Sequence, residues 1–110
     1  MLTKADFEEK EVILDQLAKN KKLTSPEGKS QLDDYLDLIQ NYFCQINNIS
    51  VINFEEIENY PIVPINFKER FNYIEARRHH FMGYRQMKTL VSELIKMNAA
   101  YKVRQSHRKQ

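Results

Sequence analysis

Apolar side chains recur along this chain at helical rather than strand spacing. The first run opens near Thr3. Thr3 and Asp6 have the spacing of a capping box, with Asp in place of the usual Glu or Gln, and Phe7, Leu14, Leu17 and Ala18 follow at helical intervals. The pattern dissolves in the polar stretch NKKLTSPEGKS. There Ser25 followed by Pro26 marks a second start, Ser as N-cap and Pro at the first helical position. The second helix is the clearest element. Leu32, Tyr35, Leu36, Ile39, Tyr42, Phe43 and Ile46 fall within an arc of roughly 120° at about 100° per residue, and Asp33, Asp34 and Asp37 fall opposite. This is the pattern of a core-facing stripe with a solvated back.

Residues 47–66 are less regular. Asn53 can cap one short turn, FEEIEN. Tyr60-Pro61 and Val63-Pro64 then favour an extended course, because a residue before proline is pushed out of the α region. PIVP reads as an apolar strap lying across the helices. Asn66 with Glu69 gives a second capping signature, followed by a third helix bearing Phe67, Phe71 and Ile74. A fourth pattern runs from about Tyr84 to Tyr101 through Met87, Leu90, Val91, Leu94, Ile95 and Met97.

On one continuous helix the Phe67/Phe71/Ile74 and Met87/Leu90/Leu94 stripes would point about 170° apart. One straight helix cannot bury both against the same core. The phase therefore predicts a break or sharp bend between Arg77 and Gly83, with Gly83 the residue most able to take unusual backbone angles. The terminal YKVRQSHRKQ is expected to fray into a basic tail from about residue 102. The sum is an all-α fold, a compact bundle of about four helices in a single domain.

A chain of 110 residues suffices for one modest core, and 42% hydrophobic with 29% charged residues places it among ordinary globular proteins. The N-terminus lacks the apolar core of a secretory signal, no apolar run approaches a membrane span, and the single Cys44 has no partner for a disulfide. These features point to the cytosol and to no membrane contact. The charge is split. Residues 1–62 carry 6 Lys/Arg against 12 Asp/Glu, net −6, whereas residues 63–110 carry 11 against 3, net +8.

The predicted bend falls in the densest run of functional side chains, Glu75–Gln86, EARRHHFMGYRQ. Glu75 and His79 are spaced to face the same way on a helix, but a zinc site needs at least three protein ligands. His80 projects about 100° from His79, and His107 lies far off in the tail. No metal is expected, and capping or hydrogen bonding is the expected work of the histidines. If the fourth helix reaches back to His80, that ring falls on the apolar face as a core histidine. Cys44 with a histidine is formally a nucleophile–base pair, but the neighbouring acidic face disfavours a thiolate. No GxSxG and no nucleotide- or phosphate-binding loop is present, so neither enzyme activity nor a cofactor is expected.

Arg85, Lys88 and Lys96, with Thr89 and Ser92, occupy the side of the fourth helix away from its apolar stripe, and Lys102, Arg104, Arg108 and Lys109 continue the charge. Such arrays attract phosphate backbones, and Tyr73, Phe81 and Tyr84 could stack on bases. A solvated helix face is also normally charged, and the aromatics could equally fill the core or the corner. No helix-turn-helix signature is evident. The acidic second-helix face and the basic fourth-helix face are each expected to point to water, where they would suit a charged partner or head-to-tail self-association.

Residues 66–101 carry Glu69-Arg70-Phe71, Tyr73-Ile74, Ala76-Arg77, an aromatic at Phe81, Arg85-Gln86, Leu90, Glu93-Leu94 and Lys96. In these the chain resembles the end of the small YpoC-like proteins of Gram-positive bacteria. The relatives tend to place a proline directly after the arginine matching Arg77, where this chain has Arg78. The bend then rests on the phase argument and on Gly83. The resemblance implies a fold and a compartment rather than a mechanism, and it leaves the N-terminal half unmatched.

The expectation is a non-enzymatic cytosolic interaction protein. Its partner would be another protein, bound through a basic–aromatic corner of Arg77, Arg78, His79, His80, Tyr84 and Arg85, extended by Lys88 and Lys96, with the acidic second helix as a secondary patch. The alternative is a nucleic-acid-binding accessory protein using the same basic side, with an enzyme of undefined type a distant third.

Overall fold

The computed structural model describes residues 1–108, and within them the fold is all-α: α1 (Lys4–Lys19), α2 (Pro26–Asn47), α3 (Phe67–Ala76) and α4 (Phe81–Arg108), with a short 3-10 segment, Phe54–Asn59, before α3. Three helix starts follow from side chains that satisfy backbone donors left open in a first turn. The Asp6 carboxylate accepts from the Thr3 backbone N–H at 2.8 Å. Ser25 Oγ accepts from Gly28 N–H at 3.1 Å, with Pro26 opening α2. Asn53 Oδ1 accepts from Glu55 N–H at 3.0 Å and starts the 3-10 segment. The fourth differs from the sequence reading. Asn66 takes a left-handed conformation, φ 57°, and its side chain makes no capping bond. The tight exit from the strap sets its backbone, and Asn is among the residues that tolerate this region best.

The stripes meet as their periodicity requires. Phe7 and Leu14 of α1, Leu32 through Phe43 of α2, Phe67, Phe71 and Ile74 of α3, and Met87 through Leu94 of α4 form one buried cluster. Aromatic rings make much of it. Phe7 meets Tyr42 edge-on at 5.3 Å, Tyr35 meets Tyr84 at 5.8 Å, and Phe43 stacks on Phe67 at 4.6 Å. Such pairs add roughly 0.5–1.5 kcal/mol each beyond burial.

Contacts fix the helix directions. The Leu2 backbone N–H donates to Gln45 Oε1 and its carbonyl accepts from Gln45 Nε2, and Glu11 meets Tyr35, so α1 runs antiparallel to α2. Tyr35 meets Tyr84 and Tyr42 meets Asn98, so α2 and α4 run in the same sense. Arg70 pairs with Glu93 as α3 runs back along α4. The molecule therefore has two ends. One holds the α3–α4 corner and the α1–α2 loop. The other holds the chain start, the 3-10 segment, the strap and the last turns of α4.

The strap lies across the end of α2. Ile62 is buried, and Asn47 holds its backbone on both sides. Asn47 Oδ1 accepts from Ile62 N–H at 2.8 Å, while Asn47 Nδ2 donates to the carbonyls of Ile62 at 2.9 Å and Phe43 at 3.0 Å. Nothing in the periodicity marks Asn47. It is the buried polar residue of the described chain, 6% exposed, and its hydrogen bonds remove the desolvation cost of both backbones.

Beyond Tyr101 the structure departs from the fraying expected there. α4 continues to Arg108. The stretch from Tyr84 onward has no Gly or Pro and is rich in Lys, Arg, Gln and Ala, all strong helix formers. Lys109, expected in the same basic tail, lies outside the described residues. Among those residues no helix is long and apolar enough to cross a membrane.

Candidate functional site at the helix corner

The bend falls at Arg77–His80, the early part of the interval set by the two opposed stripes. Arg77 N–H donates to Ile74 O at 3.1 Å, and His80 N–H donates to Arg77 O at 3.0 Å. Tyr84 N–H then donates to His80 O at 3.0 Å, which makes His80 the backbone start of α4. Gly83 does not supply unusual angles, since no glycine here has positive φ. It supplies room. A Cβ at Gly83 would sit 1.9 Å from the Arg77 carbonyl oxygen, so only glycine lets the first turn of α4 press onto the end of α3.

Asp33 ties this corner to α2. His79 Nε2 lies 2.8 Å from Asp33 Oδ1. A carboxylate only accepts, so the ring carries a proton on that nitrogen. Arg78 Nε lies 3.1 Å from the same oxygen but off-line for a hydrogen bond, so this contact is electrostatic. All three side chains keep a third or more of their surface in water, and pairs of this kind contribute about 0–1 kcal/mol. The expectation that acidic and basic faces both look to solvent holds for the exposed Asp37, Arg85 and Lys96 and is corrected at Asp33, Asp34 and Lys88. Asp33 meets the corner, and Asp34 meets Lys10 at 3.4 Å. Helix packing brings α2 and the corner together, which a helix-by-helix projection cannot see. Glu75 and His79 share no helix face, because α3 ends between them.

Two other expectations are corrected by burial. Tyr84 is 1% exposed and belongs to the core. Its hydroxyl donates to Asp15 at 2.7 Å, as Tyr35 donates to Glu11 at 2.6 Å, one turn earlier on α1. Burial first, and the facing carboxylates second, push both phenols upward from their ordinary value, so both stay protonated donors. His80, in contrast, is exposed rather than a core histidine. α4 begins one residue after it, so its ring never joins the apolar stripe.

The remaining candidates divide. Arg77 is exposed and lies over the Tyr73 ring, 4.0 Å from its centroid. Arg85 is exposed, with its guanidinium 6.0 Å from the Phe81 centroid. Neither takes part in an ion pair among the described residues. Lys88 is spent on Asp15 at 3.0 Å. Lys96 is exposed on a shallow groove between α1 and α4 that Lys4 also lines.

Phe81, expected as a base-stacking or corner-filling aromatic, and Met82 fall outside the residues expected to bind a protein partner. They are 53% and 47% exposed at the start of α4. The signal was available. At about 100° per residue Phe81 projects opposite to Leu90 of the core stripe, so the stripe could not bury it. A depression of about 380 Å3 between Leu23, Thr24, His80 and Phe81 lies on one side, and one of about 500 Å3 between Ala76, Arg77, His80 and Met82 on the other. The corner is thus a small apolar surface bordered by cations.

Among the described residues no three His, Cys, Asp or Glu side chains converge as a metal site needs. Burial pushes the Cys44 thiol upward, against thiolate formation.

No curated protein and no solved structure matches the chain. The family model described as YpoC-like protein matches residues 2–106, which takes in the acidic N-terminal half that the resemblance over residues 66–101 left unmatched. With nearly the whole chain covered, it belongs to the YpoC-like family.

Proposed function

We propose that this protein is a non-enzymatic cytosolic adaptor that docks a protein partner on the corner surface formed by Arg77, His80, Phe81, Met82 and Arg85. The observation that carries this reading is the pair Phe81 and Met82, half exposed between two arginines that pair with no carboxylate among the described residues. Leaving two adjacent large apolar side chains in water is unfavourable unless something covers them. The fitting partner presents an apolar side chain to them and carboxylates to Arg77 and Arg85. Arginine and aromatic residues at the centre of a patch are typical binding hot spots.

A photo-crosslinking residue in place of Met82 tests this in cells. The parent should give one discrete adduct, and Arg77→Glu/Arg85→Glu should abolish it while leaving helical content unchanged. A smear of adducts, or one discrete adduct that survives the double reversal, would sink the reading.

The nucleic-acid alternative retains the exposed Lys96, Lys102 and Arg104, in a stretch (94–110) without Asp or Glu. It has less to stand on than the sequence offered. Tyr84 is buried and Lys88 is neutralised by Asp15. It predicts retention of generic duplex at low salt, lost steeply as salt rises.

A further inference from the structure

The last turns of α4 carry an unpartnered continuation of the core stripe. Leu90 and Leu94 are buried. At about 100° per residue, Met97, Tyr101 and Arg104 continue the line within an arc of roughly 80° that includes both leucines. Past Leu94 no described residue of α4 is buried. The last helix-to-helix hydrogen bond joins Asn98 to Tyr42. Beyond it about ten residues run on, roughly 15 Å of helix. A face built to pack thus leaves the bundle half-covered, and its side chains change from apolar to basic. Lys102 and Arg104 are exposed, with Val103 at 57% between them. Strong helix formers carry α4 to Arg108, and packing against a partner would add to what propensity alone gives a helix end in water.

The same end of the molecule carries a surface of the opposite character. A groove of about 510 Å3 runs between the 3-10 segment and the start of α3. Phe54, Ile57, Val63 and Pro64 give it an apolar lining, and Glu55, Glu58 and Glu69 border it together with one cation, Lys68, which leaves the rim net acidic. None of these three glutamates joins an ion pair among the described residues.

We infer that the protruding end of α4 docks in this acidic groove on a second copy of the chain, with the second copy reciprocating. Met97 and Tyr101 meet the apolar lining, while Lys102 and Arg104 meet Glu55 and Glu58. Both surfaces lie at one end of the bundle, so a single two-fold axis can satisfy both contacts and close the assembly. A head-to-tail arrangement would leave one copy of each surface open. Reciprocity doubles the area that a single docking event would bury. The inference is independent of the corner, which lies at the opposite end.

Sedimentation at rising protein concentration tests it. The parent should dimerise, with a dissociation constant weakening at least about tenfold between about 50 and about 500 mM salt. Lys102→Glu/Arg104→Glu and Glu55→Lys/Glu58→Lys should each be monomeric, with unchanged helical content because all four side chains are exposed. Mixed in equal amounts, the two variants should form a heterodimer, since each then offers the other complementary ends. The fourfold variant should dimerise again. A parent that stays monomeric at high concentration, or reversals that leave a dimer intact, would overturn the inference. So would a monomeric parent that binds duplex DNA through Lys102 and Arg104, which would make the protruding helix a nucleic-acid contact.

Discussion

At each end of the bundle a segment outside the helices is tied back to α2, and the two ties are built from different materials. At the strap end Asn47, a neutral amide at 6% exposure, grips the Ile62 backbone in both directions. At the corner end Asp33 reaches Arg78 and His79 through side chains that keep a third or more of their surface in water, although the Arg78 Nε atom itself is buried. Buried neutral hydrogen bonds give a rigid junction, because breaking one leaves a desolvated donor or acceptor. Exposed charge contacts are individually weak, because water replaces what is lost. The strap is thereby committed to the fold. The corner is only lightly tied and keeps Arg77, Arg85, Phe81 and Met82 available.

That contrast can be broken at three points. Asn47→Ala should have the largest effect. It strands the Ile62 N–H and carbonyl away from water, for an expected loss of about 3 kcal/mol in urea unfolding. A loss below about 1 kcal/mol would mean that the strap is held by Ile62 and Pro64 packing alone. Gly83→Ala comes next. Alanine would ordinarily stabilise a helix interior by about 1 kcal/mol. Here its Cβ meets the Arg77 carbonyl at 1.9 Å, so a net destabilisation of about 2 kcal/mol is expected. Chemical-shift changes should centre on residues 74–84, and a stabilised Gly83→Ala variant would refute the close approach. Asp33→Asn should have the smallest effect on stability, under about 1 kcal/mol. Its sharper readout is local: amide exchange at Arg78 and His79 should quicken while the strap end is unchanged. Equal changes at both ends would show that the two ties are coupled.

The helices themselves were legible because their information is local. The α2 stripe, the Ser25-Pro26 start and the Asn53 cap are properties of adjacent residues. The break after Arg77 followed from the phase of two stripes, which needs no knowledge of what they pack against. Two signals were misread on local grounds. Asn66 looked like a side-chain cap but serves through a left-handed backbone, and Gly83 looked like a hinge but serves as clearance. Phe81 was readable as an outward-facing residue from the α4 phase, so that part of the candidate site lay in the sequence.

The sequence by itself thus determined the all-α class, the order of the elements and the place of the bend, since periodicity and capping act within a turn or two. Only the tertiary structure decided which polar groups were used up. Tyr84 went to Asp15 across 69 residues, His79 to Asp33 across 46, and Asn47 to Ile62 across 15. Those pairings depend on how α1, α2 and α4 come together. No helix carries that information alone, and it separates the groups spent on holding the fold from those left exposed.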